Sequence, residues 1–431
     1  MVEVENKVQR YDTYKDSGVK WLGEIPEHWQ IERGKWLFKK NERPIRKEDK
    51  IITCFRDGEV TLRSNRKNSG FTVALKEHGY QGIRKGDLVI HVMDAFAGAI
   101  GVSDSDGKST PVYSACTERF PETINQYYYS YFLRSLALNG IILALAKGIR
   151  ERSTDFRFKD FGELLLSFPP LPEQTKIAQF LDDKTTKIED AIAIKKQQIN
   201  LLKERKQILI HKAVTRGLDD SVTLKDSGVE WIGEIPEHWE VKKIKYLVDE
   251  VNIRSTTGEE ELLSLSKYKG VIPKSSLEER AGQANSLIGY KKVFENCLVI
   301  NKMQAVNGLI DVSKLEGITS PDYSVYKSKD SKILDINYLN SLVNQIEYLA
   351  EFKKRVTGVM DGFIRLYTDD LYDIKIHLPP LSEQKEISAY IETASRKIET
   401  AIGLKQQEID RLKEYKSSLI NGVVTGKVRV C

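Results

Sequence analysis

The sequence predicts an α/β (α+β) protein made of two domains in tandem repeat, separated by a long antiparallel two-helix coiled coil. Three observations carry this expectation. Residues 15–29, KDSGVKWLGEIPEHW, return as residues 225–239, KDSGVEWIGEIPEHW, differing only at Lys20/Glu230 and Leu22/Ile232. PPLPEQTKIAQFL at 169–181 returns as PPLSEQKEISAYI at 379–391. Each of these later blocks opens a helical stretch whose apolar residues recur in sevens. The offset is constant: residue 23 recurs as residue 233 and residue 169 as residue 379, a shift of 210.

Composition bounds the class. The chain has 431 residues, 40% hydrophobic and 30% charged, with a formal net charge of +5. A chain of that length builds about two to four domains with real cores, and the mix is that of a globular protein. The positive balance leans toward a polyanionic partner. Cys54, Cys116, Cys297 and Cys431 lie far apart with no CxxC pair, which points to a reducing compartment and away from a zinc module. No run approaches the roughly 18 apolar residues of a membrane span. The start, MVEVENKVQRYDTYKDSG, is charged and lacks an apolar signal core. A cytoplasmic location is expected.

Each repeat opens with a Trp-rich segment. Trp21, Ile25, Pro26 and Trp29 are expected to form an aromatic clip, because Trp and Pro bury area and fix φ but do no acid–base chemistry. His28 and His238 have no Cys, His or Asp neighbours in sequence and are weak metal or catalytic candidates. An α/β middle follows, residues 31–168 and 241–378. DLVIHV (87–92) and CLVINK (297–302) read as buried strands, and residues 123–148 and 336–356 as single helices capped by Gly148 and Gly358. ELLLSFPP (163–170) and YDIKIHLPP (372–380) read as strands stopped by the diprolines. The offset also holds inside the middles: DLVIHVMDAFAGAIGVS at 87–103 faces CLVINKMQAVNGLIDVS at 297–313, and PVYS at 111–114 faces PDYS at 321–324.

After each diproline one long helix is expected, over about 173–212 and 383–420, interrupted only by Gly403. Its seam in the first repeat is Leu181, Ile188, Leu202 and Leu209, with Ile192 and Ile199 beside them; in the second it is Ile391, Ile398, Leu412 and Leu419, with Ile402 and Ile409. Lys195 and Lys405 hold the same central seam position. A helix of about 40 residues is about 60 Å long. With one apolar stripe each, the two helices are expected to pair antiparallel within the chain, a polar seam Lys helping to fix register.

Catalytic motifs do not emerge. GKST at 107–110 resembles the end of a phosphate-binding loop, but Gly101 leaves five intervening residues where four are needed, and Pro111 follows at once. Pro321-Asp322 with Asp330-Ser331-Lys332 faintly resembles a nuclease carboxylate cluster but has no counterpart in the first repeat, which offers Pro111-Val112. No GxGxxG, HExxH or GxSxG pattern occurs. Binding features are richer. Arg63, Arg66 and Lys67, then Lys147, Arg150, Arg152 and Arg157, lie in loops or at element ends of the first middle. Lys302, then Lys353, Lys354 and Arg355, then Arg365, do so in the second. Arg and Lys neutralise phosphates and read base edges. Similar frames with different loops suggest two DNA half-sites read by one platform, spaced on the scale of a helical turn, about 34 Å.

On these repeated blocks the chain resembles the specificity subunits of type I restriction-modification enzymes. The blocks match in order, and the resemblance runs over essentially the whole chain. It implies an N-terminal target recognition domain (1–168), a central coiled-coil helix (169–216), a second target recognition domain (217–378) and a C-terminal coiled-coil helix (379–431). It implies that each domain reads one half of an asymmetric bipartite double-stranded DNA target. The chain would be non-catalytic, docking two methyltransferase subunits to form an adenine-N6 DNA methyltransferase and two restriction subunits to complete the endonuclease. S-adenosylmethionine, ATP and Mg²⁺ would belong to those partners, in a bacterial or archaeal cytoplasm. Two rivals stand beside this reading: a coiled-coil scaffold that reads no DNA, and a stand-alone nuclease built on residues 321–332.

Overall fold

The computed structural model describes residues 9–66, 79–145, 155–267, 269–277, 286–358 and 364–430. The two long helices run Leu171–Arg216 and Leu381–Val424. Two compact units divide the chain: residues 1–196 with 406–431, and residues 197–405. The division falls inside both long helices. Each unit therefore holds one head, the start of the helix that follows that head, and the end of the other helix.

Both helices begin two residues earlier and end four later than the sequence suggests. Pro170 and Pro380 do not delay the start, because the first helical turn needs no bonded N–H at its opening position; Gln174 N donates to Pro170 O at 3.0 Å and Gln384 N to Pro380 O at 3.0 Å. The stops come shortly after, at Gly217 (φ 77) and Gly426 (φ 75), both left-handed. In the first unit Lys195 pairs with Glu408, and Lys416 with Glu189. In the second, Lys206 pairs with Glu399 at 2.6 Å, and Val214 shares a core with Ile387. Partner numbers fall as helix numbers rise, so the two lengths run antiparallel within each unit. Leu181, Ile188, Ile199, Ile391, Ile398 and Ile409 are buried, while Ile192, Lys195, Leu202, Leu209, Ile402, Lys405, Leu412 and Leu419 are half-buried.

The heads share one strand plan. A four-stranded antiparallel sheet takes the order 38–41, 113–118, 88–91, 100–102 in the first head. In the second the order is 248–250, 323–328, 298–301, 310–312. The register repeats with the same offset: Ala115 faces Val89 as Val325 faces Val299. Alternate strand residues point to opposite faces, and both faces are covered here. Leu88 and Ile90 join the main core with Phe132 and Leu136, while Val89 joins a smaller core with Ile52 and Ile83. Leu298, Ile300 and Val299 divide the same way. Burial on both sides explains why LVI is continuously apolar.

Four local expectations are corrected. Residues 123–148 are not one helix: Gln126–Leu138, capped by the Asn125 side chain, ends at Asn139-Gly140, with Gly140 at φ 77, and Ile141–Leu145 follows. Residues 336–356 split into Ile336–Val343 and Ile346–Arg355, where Asn344 Nδ2 turns back onto Asn340 O at 2.9 Å. Gly358 is not a cap, since the helix ends at Arg355 with Val356 as its C-cap; Gly148 lies outside the described residues. The strands before the diprolines are shorter, Leu165–Phe168 and Lys375–Leu378, because Phe158–Glu163 and Thr368–Tyr372 are helical.

The two repeated motifs meet in space. Glu173, from PPLPEQ, accepts from Trp29 Nε1 at 3.1 Å and contacts His28 Nε2 at 2.9 Å. Glu383 does the same for Trp239 (3.1 Å) and His238 (2.8 Å). The next residue grips the head. Buried Gln174 accepts from Asn125 N (2.8 Å) and donates to Pro169 O (2.7 Å), as Gln384 does with Asp335 N (2.9 Å) and Pro379 O (2.8 Å). Asn125 and Asp335 are the N-caps of the main head helices. Each Glu-Gln pair thus ties the Trp motif, the head helix and the long helix into one joint. The end of the other long helix closes it: Tyr128 OH donates to Val424 O at 3.0 Å, and His377 Nε2 lies 2.7 Å from Val214 O.

Candidate nucleic-acid interface

At one end of each four-stranded sheet three segments converge. In the first head Val92 N donates to Val112 O (2.9 Å) and Phe156 N to Val92 O (3.0 Å). In the second Lys302 N donates to Asp322 O (3.4 Å) and Leu366 N to Lys302 O (3.1 Å). The backbone plan is one; the side chains on it differ.

In the second head the surface is charged. Arg365 Nη2 donates to Asp322 Oδ1 at 3.4 Å. Beneath it Lys291, almost fully buried, donates to Glu250 at 2.8 Å, and Glu250 also accepts from Thr368 Oγ1 at 2.7 Å. Burial, with the nearby Lys291 charge, holds the Lys302 ammonium below the usual lysine range, against the pull of Glu250 and Asp322. Burial raises Glu250, but hydrogen bonds from Lys291 and Thr368 outweigh it and keep the carboxyl below its ordinary value. The buried Lys291–Glu250 pair is the floor of a surface that carries Lys302 and Arg365.

The first head replaces this floor with neutral and reversed groups. Gln81 stands where the second has Lys291, and Lys40 where it has Glu250. Gln81 Nε2 donates to Thr110 O at 3.4 Å. Nearby, Arg56 pairs with Asp94 at 2.8 Å, and His91 stacks edge-on against Tyr113 at 4.6 Å. Burial pushes His91 below the usual histidine range, against Asp94.

The expected contact residues fall into three groups. Lys67, Lys147, Arg150 and Arg152 lie outside the described residues. Arg63 opens a short 3-10 turn and donates from Nε to Thr53 Oγ1 at 3.1 Å. Arg66 lies over the Phe55 ring at 4.2 Å and pairs with Asp57 at 2.7 Å and Glu59 at 3.0 Å. Lys354 and Arg355 both pair with buried Glu351 on their own helix, beside exposed Lys353, and all three sit in its last turn, where cations suit the helix dipole. Lys302 and Arg365 are the two that the fold brings together, with Asp322 between them, while Arg157 pairs with Asp155 at 2.5 Å at the matching place in the first head.

Residues 236–411 match the family model of the type I restriction modification DNA specificity domain. Over 97% of the chain and 98% of the relative, the sequence is 25% identical to the putative type I restriction enzyme MjaX specificity subunit of Methanocaldococcus jannaschii. The chain is similar to type I specificity subunits. A second such subunit from that organism, MjaVIII, is 26% identical over 63% of this chain and 64% of its own length. Two solved structures share the fold. One, described under the structural basis of complex assembly and conformational transition of the type I R-M system, aligns with a TM-score of 0.68 at 13% identity, covering 93% of this chain and 98% of that one. The other, the HsdS subunit from Thermoanaerobacter tengcongensis, gives 0.53 at 15% identity, covering 94% and 98%.

Three residues at or beneath the strand-end surface, Lys291, Glu250 and Asp155, were not singled out by the sequence reading. The signal was present in the constant offset: comparing residue by residue at 210 exposes Gln81/Lys291 and Lys40/Glu250 as substitutions inside a shared frame. Among the described residues no group of three or more His, Cys, Asp or Glu side chains is placed to hold a metal ion, and no helix is long and apolar enough to cross a membrane.

Proposed function

We propose that this chain is the non-catalytic, sequence-reading subunit of a type I restriction-modification complex. Each head reads one half of an asymmetric bipartite duplex target. The long helices act as an antiparallel coiled-coil spacer between two target recognition domains and as the docking surface for two methyltransferase and two restriction subunits. S-adenosylmethionine, ATP and Mg²⁺ are carried by those partners. The carrying observation is the shared backbone plan of the two heads, with side chains of different chemistry at matching strand ends. One platform with two chemistries is what a reader of two unlike half-sites requires. A nuclease at residues 321–332 is less favoured, since Asp322 is engaged by Arg365 and Asp330 accepts from Lys332 N at 2.8 Å.

Co-expression with the cognate methyltransferase subunit, followed by sequencing of methylated adenines, tests the reading. One split motif with unlike halves and a constant gap is expected, and exchanging residues 31–168 changes one half alone. If a complex forms but no motif is methylated, and duplex binding does not weaken steeply with salt, the coiled-coil scaffold reading replaces this one.

A further inference from the structure

The strand-end surface presents four matching positions in each head. In the first they are Val92, Val112, Asp155 and Arg157; in the second, at the constant offset, they are Lys302, Asp322, Arg365 and Tyr367. The backbone bonds that join Val92 to Val112 and to Phe156 recur in the second head between Lys302, Asp322 and Leu366. All eight side chains are half-buried or exposed. Framework packing would favour similar residues at all four places, as it does for Ser114 and Ser324 beneath, both buried. Instead every one of the four changes chemical type. Each head also holds one Arg–Asp pair here, but from different positions: Asp155 with Arg157 at 2.5 Å, and Asp322 with Arg365 at 3.4 Å.

We propose that these four positions are the base-reading surface of each head, and that the difference between them sets the difference between the two DNA half-sites. This rests on the DNA-reading function proposed above. In the second head Asp322 accepts from Nη2 of Arg365 at 3.4 Å, which draws the guanidinium toward this surface. A guanidinium beside an ammonium suits the O6 and N7 acceptors of guanine in the major groove, and a carboxylate accepts from cytosine N4. The second half-site therefore contains a G·C pair read by Arg365. In the first head the two valines offer apolar contact to a thymine methyl, and Arg157 carries the only cation of the four positions.

The test uses the complete chain in complex with its methyltransferase subunit, selecting from a pool of randomised DNA duplexes. Wild type selects a split motif. Arg365→Ala selects the same first half, with one G·C position of the second half relaxed by about 10- to 100-fold in discrimination. Exchange of all four first-head residues for their second-head counterparts moves the second-half preference into the first half. If Arg365→Ala selects the unaltered motif, the assignment falls while DNA reading stands. If it weakens binding to all duplexes alike with an unchanged melting profile, Arg365 is a phosphate contact and the assignment also falls. Arg365→Lys, which keeps the cation but not the fork, separates these roles: base reading requires that it too relax the G·C position. If wild type selects no motif, DNA reading itself fails and the assignment with it.

Discussion

Trp239 donates its indole N–H to Glu383 across 144 residues of chain, at 3.1 Å. Trp29 and Glu173 repeat the bond at the same length and the same separation. Both indoles are fully buried, so the carboxylate is the partner that prevents an orphaned donor.

Glu173→Ala removes that acceptor, together with the one used by Tyr11 OH and by His28. The expected cost is about 1–3 kcal/mol, read as a lower urea midpoint. Glu173→Gln, which keeps an acceptor oxygen, loses less. Equal loss in both variants would show that the charge, not the buried bond, sets the effect.

His377 gives a pH signature. Burial pushes its pKa down from 6.5 to about 4, with the Val214 carbonyl opposing. The folded state therefore resists protonation. Stability is full above about pH 6.5, where both states hold neutral His, and declines as pH falls toward about 4, by on the order of 3 kcal/mol. Melting temperature against pH between 4 and 7 should show this slope. In His377→Ser, which installs the residue found at the matching Ser167, the slope should shrink, whatever the substitution costs at neutral pH.

Two glycines in the second helix and its exit should respond in opposite senses. Gly426 sits at φ 75, and a Cβ there would lie 2.3 Å from Pro26 Cδ, so Gly426→Ala destabilises. Gly403 lies mid-helix, and an added methyl there would meet nothing within 4 Å, so Gly403→Ala stabilises by about 1 kcal/mol. Thermal melting of the two variants checks the pair.

Lys195 and Glu408 pair across the helices, partly exposed. Such a pair contributes about 0.2–1 kcal/mol. Lys195→Glu should destabilise by placing two carboxylates together, and the double reversal with Glu408→Lys should recover most of the loss. A double mutant no better than the single would place the effect elsewhere.

Much of the frame was legible because periodicity is a local property. The seam from Leu181 to Leu209 and its counterpart from Ile391 to Leu419 show the helices directly, to within a few residues at each end. The buried strands at 88–91 and 298–301 show as short apolar runs. The breaks at Gly140 and Asn344 were not legible from spacing, since the apolar period continues across them and only a turn residue interrupts it. The strand-end surface was less legible still. Arg365 and Asp322 are 43 positions apart in sequence, and nothing in either neighbourhood announces the other.

By itself the sequence determined that two copies of one architecture lie in tandem, which residues face the helix seam, and that polar chemistry diverges where the frame does not. Only the tertiary structure decided that the Glu-Gln after each diproline clasps the Trp motif and the head-helix cap, and that each head is closed by the end of the other long helix. It alone decided which of many surface cations stand beside a carboxylate. The reason is physical. Periodicity and propensity act over a few residues, whereas a buried donor takes its acceptor from whichever segment packing brings within about 3 Å.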